Sequence, residues 1–270
     1  MKNTLKHITL LLLAFSITLI SCKKNTDDDN PDGDGGDGDN TATCRIKKII
    51  PSDDEEITFI YNTDNRLTSM TNGSETVIEL VYNTDGTIQK TLSIDSESES
   101  DMLTFSVTYE YNTAGLPITS VATDGDITMN FTYHFTDEKL TKRAGTVIID
   151  GITATLVENY TYVGDNVSET EIITTWPGYS DTKHIYYEYD NKKNPFYDLN
   201  VQHTVIAHKE DFALFASKNN YTSMTATYAD GTVIPDESDS ITFEYNSDNY
   251  PSKSTFADGS YSDITYHPCH

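Results

Sequence analysis

Apolar and polar positions alternate along most of the chain, and the alternation keeps restarting. In Ile57–Tyr61, Ile78–Tyr82, Val107–Tyr111, Met129–Tyr133, Ile185–Tyr189 and Ile241–Tyr245, positions one, three and five are large and apolar. Positions two and four are mostly Thr, Glu or Asn, and Ile264-Thr265-Tyr266 is a shorter echo. A period of two marks a half-buried strand. Most copies run into turn residues, as in Asn62-Thr63-Asp64, Asn83-Thr84-Asp85-Gly86 and Asn112-Thr113-Ala114-Gly115, so strand gives way to tight hairpin. The terminal aromatics Tyr61, Tyr82, Tyr111, Tyr133, Tyr162 and Tyr189 lie 21, 29, 22, 29 and 27 residues apart, which fits one hairpin per unit with loops of variable length.

Such a sheet has one apolar face, and that face has to be removed from water by curling or by a covering layer. The pattern therefore predicts an all-β protein. Residues 44–270 form one large curled antiparallel sheet of sequential hairpins, a half-barrel or open barrel. The rhythm breaks from Asn194 to Ser217, where a short helix or plug around residues 207–217 is expected to cover the apolar face.

Three strings carry a resemblance: Tyr109 to Pro117, Tyr187 to Phe196 and Phe243 to Pro251, each a Tyr-rich strand running into an Asn- or Asp-led turn. They are similar to a Bacteroidetes lipoprotein family of unknown function described as porin-like in fold. More distantly they resemble the YD (tyrosine–aspartate) repeats of bacterial shell-forming and wall-associated proteins. Asn194-Pro195-Phe196 is the most distinctive piece. The Gly-Arg pair usual after a YD turn is mostly replaced here, which argues against a closed toxin-type shell. The resemblance implies a large curled antiparallel sheet and brings no catalytic residues.

The first residues read as an export signal. Lys2 and Lys6 precede an apolar run from Ile8 to Ile20, too short to span a bilayer comfortably. Leu19-Ile20-Ser21-Cys22 resembles the lipobox of bacterial lipoproteins. Residues 1–21 are thus expected to be removed and Cys22 to carry lipid, which supplies the membrane attachment. Residues 22–43, rich in Asp and Gly, read as a solvated, self-repelling tether. Lys23 and Lys24 followed by acids resemble the signal that sends some Bacteroidetes lipoproteins from the outer membrane to the cell surface.

Charge narrows the partners. The chain carries 43 acidic and 18 basic residues, a formal charge of -25, and losing Lys2 and Lys6 makes it -27. Nucleic acid needs clustered Lys and Arg and is excluded. Of three cysteines, lipidation of Cys22 leaves Cys44 and Cys269 as an even pair in an oxidising compartment, expected to form a disulfide.

Motifs for chemistry are sparse. Gly33 to Gly38 fits a dinucleotide-loop spacing, but no strand precedes it and acid saturates it. Asp28, Asn30, Asp32 and Asp39 approximate a calcium loop without flanking helices, so loosely held counterions are the simpler expectation. The seven histidines show no metal-ligand spacing, no nucleophile elbow occurs, and no cofactor is expected. Trp176-Pro177-Gly178-Tyr179 places the single Trp beside a turn, where exposed rings stack on sugars or anchor partners. The expected function is a non-enzymatic surface binding module for a glycan, protein or small apolar ligand. Contact would be through Trp176 and Tyr179, or through a mouth near Phe196, Phe212 and Phe215. A structural or assembly role in the outer envelope is the alternative, and a hydrolase is disfavoured.

Overall fold

The computed structural model describes residues 43–95, 103–125, 127–201 and 212–269. The signal segment, Cys22, the calcium-loop-like Asp28, Asn30, Asp32 and Asp39, and residues 207–211 of the expected plug lie outside the described residues.

Sixteen antiparallel strands succeed one another around a closed barrel. The first are short: β1 (Ile46–Pro51), β2 (Ile57–Tyr61), β3 (Leu67–Asn72) and β4 (Glu75–Tyr82). Next come β5 (Ile88–Asp95), β6 (Leu103–Tyr111), β7 (Pro117–Asp124) and β8 (Ile127–Thr136). The tallest part of the wall is β9 (Lys139–Ile149), β10 (Ile152–Val163), β11 (Asn166–Trp176) and β12 (Tyr179–Lys193). It falls again through β13 (Asn219–Tyr228), β14 (Asp239–Tyr245), β15 (Pro251–Phe256) and β16 (Tyr261–Tyr266). Where the sequence pattern allowed an open or half-barrel, the sheet closes. β1 pairs with β16 from Ile46–Tyr266 to Pro51–Ser262, which completes the circuit of strands. A disulfide joins Cys44 to Cys269 just beyond this seam, with the Cα atoms 4.3 Å apart.

Alternation decides which side faces in. Phe59, Leu80, Val107, Phe131, Tyr133, Tyr160 and Tyr187 are buried on the inner side. Their neighbours in sequence, among them Glu79, Thr108, Glu110, Asn130, Thr132, His134 and Glu188, are exposed on the outer side. A bilayer-spanning barrel carries its apolar band outside; this wall carries its apolar side inside.

Odd strands begin, and even strands end, at one end of the barrel, here the tyrosine end. A tyrosine closes most even strands there and donates its hydroxyl to the carbonyl at the start of the preceding odd strand. The bonds are Tyr61 to Ile46 (2.8 Å), Tyr82 to Leu67 (2.6 Å), Tyr111 to Ile88 (2.6 Å), Tyr162 to Leu140 (3.0 Å), Tyr189 to Val167 (2.6 Å) and Tyr266 to Pro251 (2.6 Å). The repeat is thus a latch. The turn after the latch is equally regular: Asn62 Oδ1 accepts the N–H groups of Asp64 and Arg66, as Asn112 and Asn246 do in their copies. The fourth residue, Asn65, Gly86, Gly115 or Asn249, has φ between 63° and 92°, a left-handed conformation that Gly and Asn tolerate best.

Candidate functional site

The connection between β12 and β13 closes the tyrosine end. Buried Asn194 donates through Nδ2 to the carbonyls of Leu214 (2.6 Å) and Ser217 (2.8 Å), while its Oδ1 accepts the Phe196 N–H (3.0 Å). That bracket explains the Asn194-Pro195-Phe196 string: it folds the connection inward. A single helical turn, α1 (Phe212–Ala216), lies within it, matching the expected plug. Phe196 meets Phe59 and Phe215 edge-on at 6.4 and 5.5 Å, and Phe212 packs on Tyr160 at 4.1 Å. Phe212 and Phe215 are only 5% and 2% exposed. Phe212 and Phe215 thus fill the tyrosine end, where the plug turns them toward the apolar wall, and Phe196 packs beside them while staying partly exposed.

Trp176 and Tyr179 stand at the opposite end, so the structure does not bring the two candidate groups together. They pair across the Pro177-Gly178 turn of the β11–β12 hairpin. From Val167 at the tyrosine end, nine steps of about 3.3 Å carry β11 roughly 30 Å to Trp176. Trp176 shares the inner face with Thr170, Ile172 and Thr174 and is partly buried at the rim, whereas Tyr179 is 61% exposed.

Between rim and plug, several inward side chains are only partly buried. Met129 pairs with Ala122 and Val147, Leu156 with Gly145, Ile172 with Glu158 and Met224 with Tyr187. All four share the inner face, yet all remain partly exposed. Val107 and Ala122 form a small buried cluster that Tyr109 and Met129 join to the main core.

Sequence reasoning missed one polar group. Hydroxyl pairs run round the inner wall: Thr91 with Tyr109 (3.1 Å), Ser120 with Tyr133 (2.7 Å) and Thr170 with Tyr187 (3.5 Å). At the matching place in β9 stands Arg143, 4% exposed, which donates through Nε to Glu158 and lies 5.3 Å over the Phe131 ring. Tyr160 also donates to Glu158 (3.1 Å). Burial opposes the Arg143 charge, but Glu158 together with Tyr160 and Tyr133 outweighs it and holds the guanidinium pKa above its usual value. The same burial drives the Tyr160 hydroxyl well up. The missed signal was phase: Arg143 keeps step with Gly145, Val147 and Ile149, and Glu158 with Leu156 and Tyr160. Cys44, Asp248 and Cys269 come close enough to hold a metal ion, but both sulfurs are spent in the disulfide.

No family model matches this chain, and no curated protein does. Solved structures do. A porin-like protein from Bacteroides vulgatus superposes with a TM-score of 0.59 at 13% identity, over 83% of this chain and 99% of that one. A porin-like protein from Bacteroides uniformis covers 83% and 95% at 14% identity with a TM-score of 0.43. At such identity the first likeness bears on architecture alone: in fold, this chain is similar to a porin-like barrel protein of Bacteroides.

Proposed function

We propose that this chain is a non-enzymatic lipoprotein of the outer envelope whose barrel takes a small apolar ligand into its lumen through the tryptophan end. One observation carries the reading. Met129, Leu156, Ile172 and Met224 face inward and remain partly exposed, while Phe212, Phe215 and Leu199 bury the other end. A concave apolar space with few polar groups is the default place for a small molecule. The barrel is a vessel with one stopper.

Lipid on Cys22 and a spacer ending at residue 43 attach at the tyrosine end, where Cys44 meets Cys269, which leaves Trp176 and Tyr179 at the end of the barrel away from the attachment. The charged outer wall stays in water, so the lipid is the attachment and the barrel is not. Cys22→Ala is expected to move the protein from the membrane pellet to the soluble fraction, or to stall it with its signal attached. A mutant that stays in the pellet through a carbonate wash contradicts the anchor.

The binding arm uses protein beginning at residue 23 and the uncharged dye N-phenylnaphthylamine. Fluorescence should rise saturably, and Leu156→Arg, which puts a charge in the lumen, should abolish the rise while leaving the barrel folded by circular dichroism. An equal rise in the variant locates the dye elsewhere and defeats the reading.

A further inference from the structure

A cavity of about 360 Å³ sits over the seam at the tyrosine end. It lies where the start of β1 is flanked by the ends of β2 and β16, and Arg45, Phe59, Ile60, Tyr61, Asn62 and His267 line it. The Arg45 guanidinium lies 5.2 Å from the centre of the Tyr61 ring, and His267 stands edge-on to the same ring at 5.7 Å. His267 is fixed there by its backbone N–H, which donates to the Arg45 carbonyl at 2.9 Å.

We propose that this seam cavity binds a small carboxylate with a flat apolar body, of which an aryl carboxylate is the simplest example. Three of the residues that line it carry unspent donors. Among the described residues Arg45 has no ion-pair or hydrogen-bond partner for its guanidinium, although acids outnumber bases 43 to 18. The Asn62 carbonyl oxygen is taken by its turn, which leaves its Nδ2 to donate. The His267 ring likewise has no hydrogen bond among the described residues. Phe59, Ile60 and Tyr61 supply the apolar wall. A guanidinium fork matches a planar carboxylate with two parallel bonds, and the volume suits a ligand of one ring. Burial chiefly, with Arg45 and Lys47 adding to it, holds the His267 pKa below its usual value, and those two cations make the surroundings of the cavity locally positive.

This site is separate from the lumen, and its test keeps the two apart. Protein from residue 23 is titrated with benzoate, benzyl alcohol and inorganic phosphate while the ring resonances of His267 and Tyr61 are followed by NMR. Benzoate should shift both saturably in the millimolar range and outcompete the other two, and Trp176 emission should not change. Arg45→Gln should weaken benzoate about tenfold or more, as expected for a charge-assisted bond. Arg66→Gln, which removes the exposed cation over the equivalent Tyr82 ring at 5.6 Å, should not weaken it. Phosphate binding as tightly as benzoate marks a simple anion site, and benzyl alcohol binding as tightly marks an apolar cleft; either overturns the carboxylate assignment. So does the absence of saturable shifts in the folded parent, which needs no variant to read.

Discussion

Tyr82 shows what the repeated aromatic does. Its hydroxyl latches β4 to the first residue of β3 at 2.6 Å, and Arg66 lies over its ring. Tyr82→Phe removes that bond and leaves a carbonyl unpaired, so urea unfolding should show a loss of about 1 kcal/mol. The latches also make stability depend on pH. Burial raises the Tyr82 pKa from 10.0 to about 12, with Arg66 pulling the other way, and burial likewise raises Tyr61, Tyr111, Tyr162 and Tyr266. Between pH 10 and the raised values the unfolded chain binds fewer protons than the folded one, so stability falls as pH rises. The melting temperature should hold to about pH 9.5 and drop steeply above it. A melt unchanged at pH 12 would show that the latches do not carry burial energy. Trp176, by contrast, was legible only as an outlier in a turn. Its inward phase follows from counting back to Thr170, but its rim position depends on the length of β11.

At the scale of elements, alternation recovers strands because the apolar face is unbroken for several residues and the turn residues punctuate it. It records which face a residue takes, not which strand it pairs with. Closure therefore could not be read: β1 and β16 meet across nearly the whole described chain, and only the cysteine pair hinted at it. The plug was visible as a break in rhythm, but its direction depends on the Asn194 bracket, a tertiary contact with Leu214 and Ser217. Phe215→Ala, which empties a site only 2% exposed, should cost about 3–5 kcal/mol and free the plug. Gly145 offers a complementary check on packing. A methyl there would collide with the Asn130 carbonyl and the Phe131 ring, so Gly145→Ala should destabilise by about 1–3 kcal/mol in thermal or urea melts. A neutral result would mean that β8 and β9 are looser than the geometry requires.

For the whole molecule the governing fact is that the barrel is turned outside-in relative to one that spans a bilayer. Exposed Glu79, Glu110, His134 and Glu188 alternate with the buried core, and moving such side chains into hydrocarbon costs free energy. Expressed from residue 23, the protein should stay monodisperse without detergent. The disulfide adds a constraint across 225 residues of sequence, which on the chain-entropy model contributes on the order of 4–5 kcal/mol, so reduction should lower the melting temperature. The central claim is that apolar ligands reach the lumen past the tryptophan rim, and the single Trp176 reports on it directly. The measurement is quenching of its emission by a long-chain alcohol brominated along its chain. Saturable quenching that Leu156→Arg abolishes is the predicted result; emission that stays constant, or quenching that survives in the variant, would contradict a ligand-holding lumen.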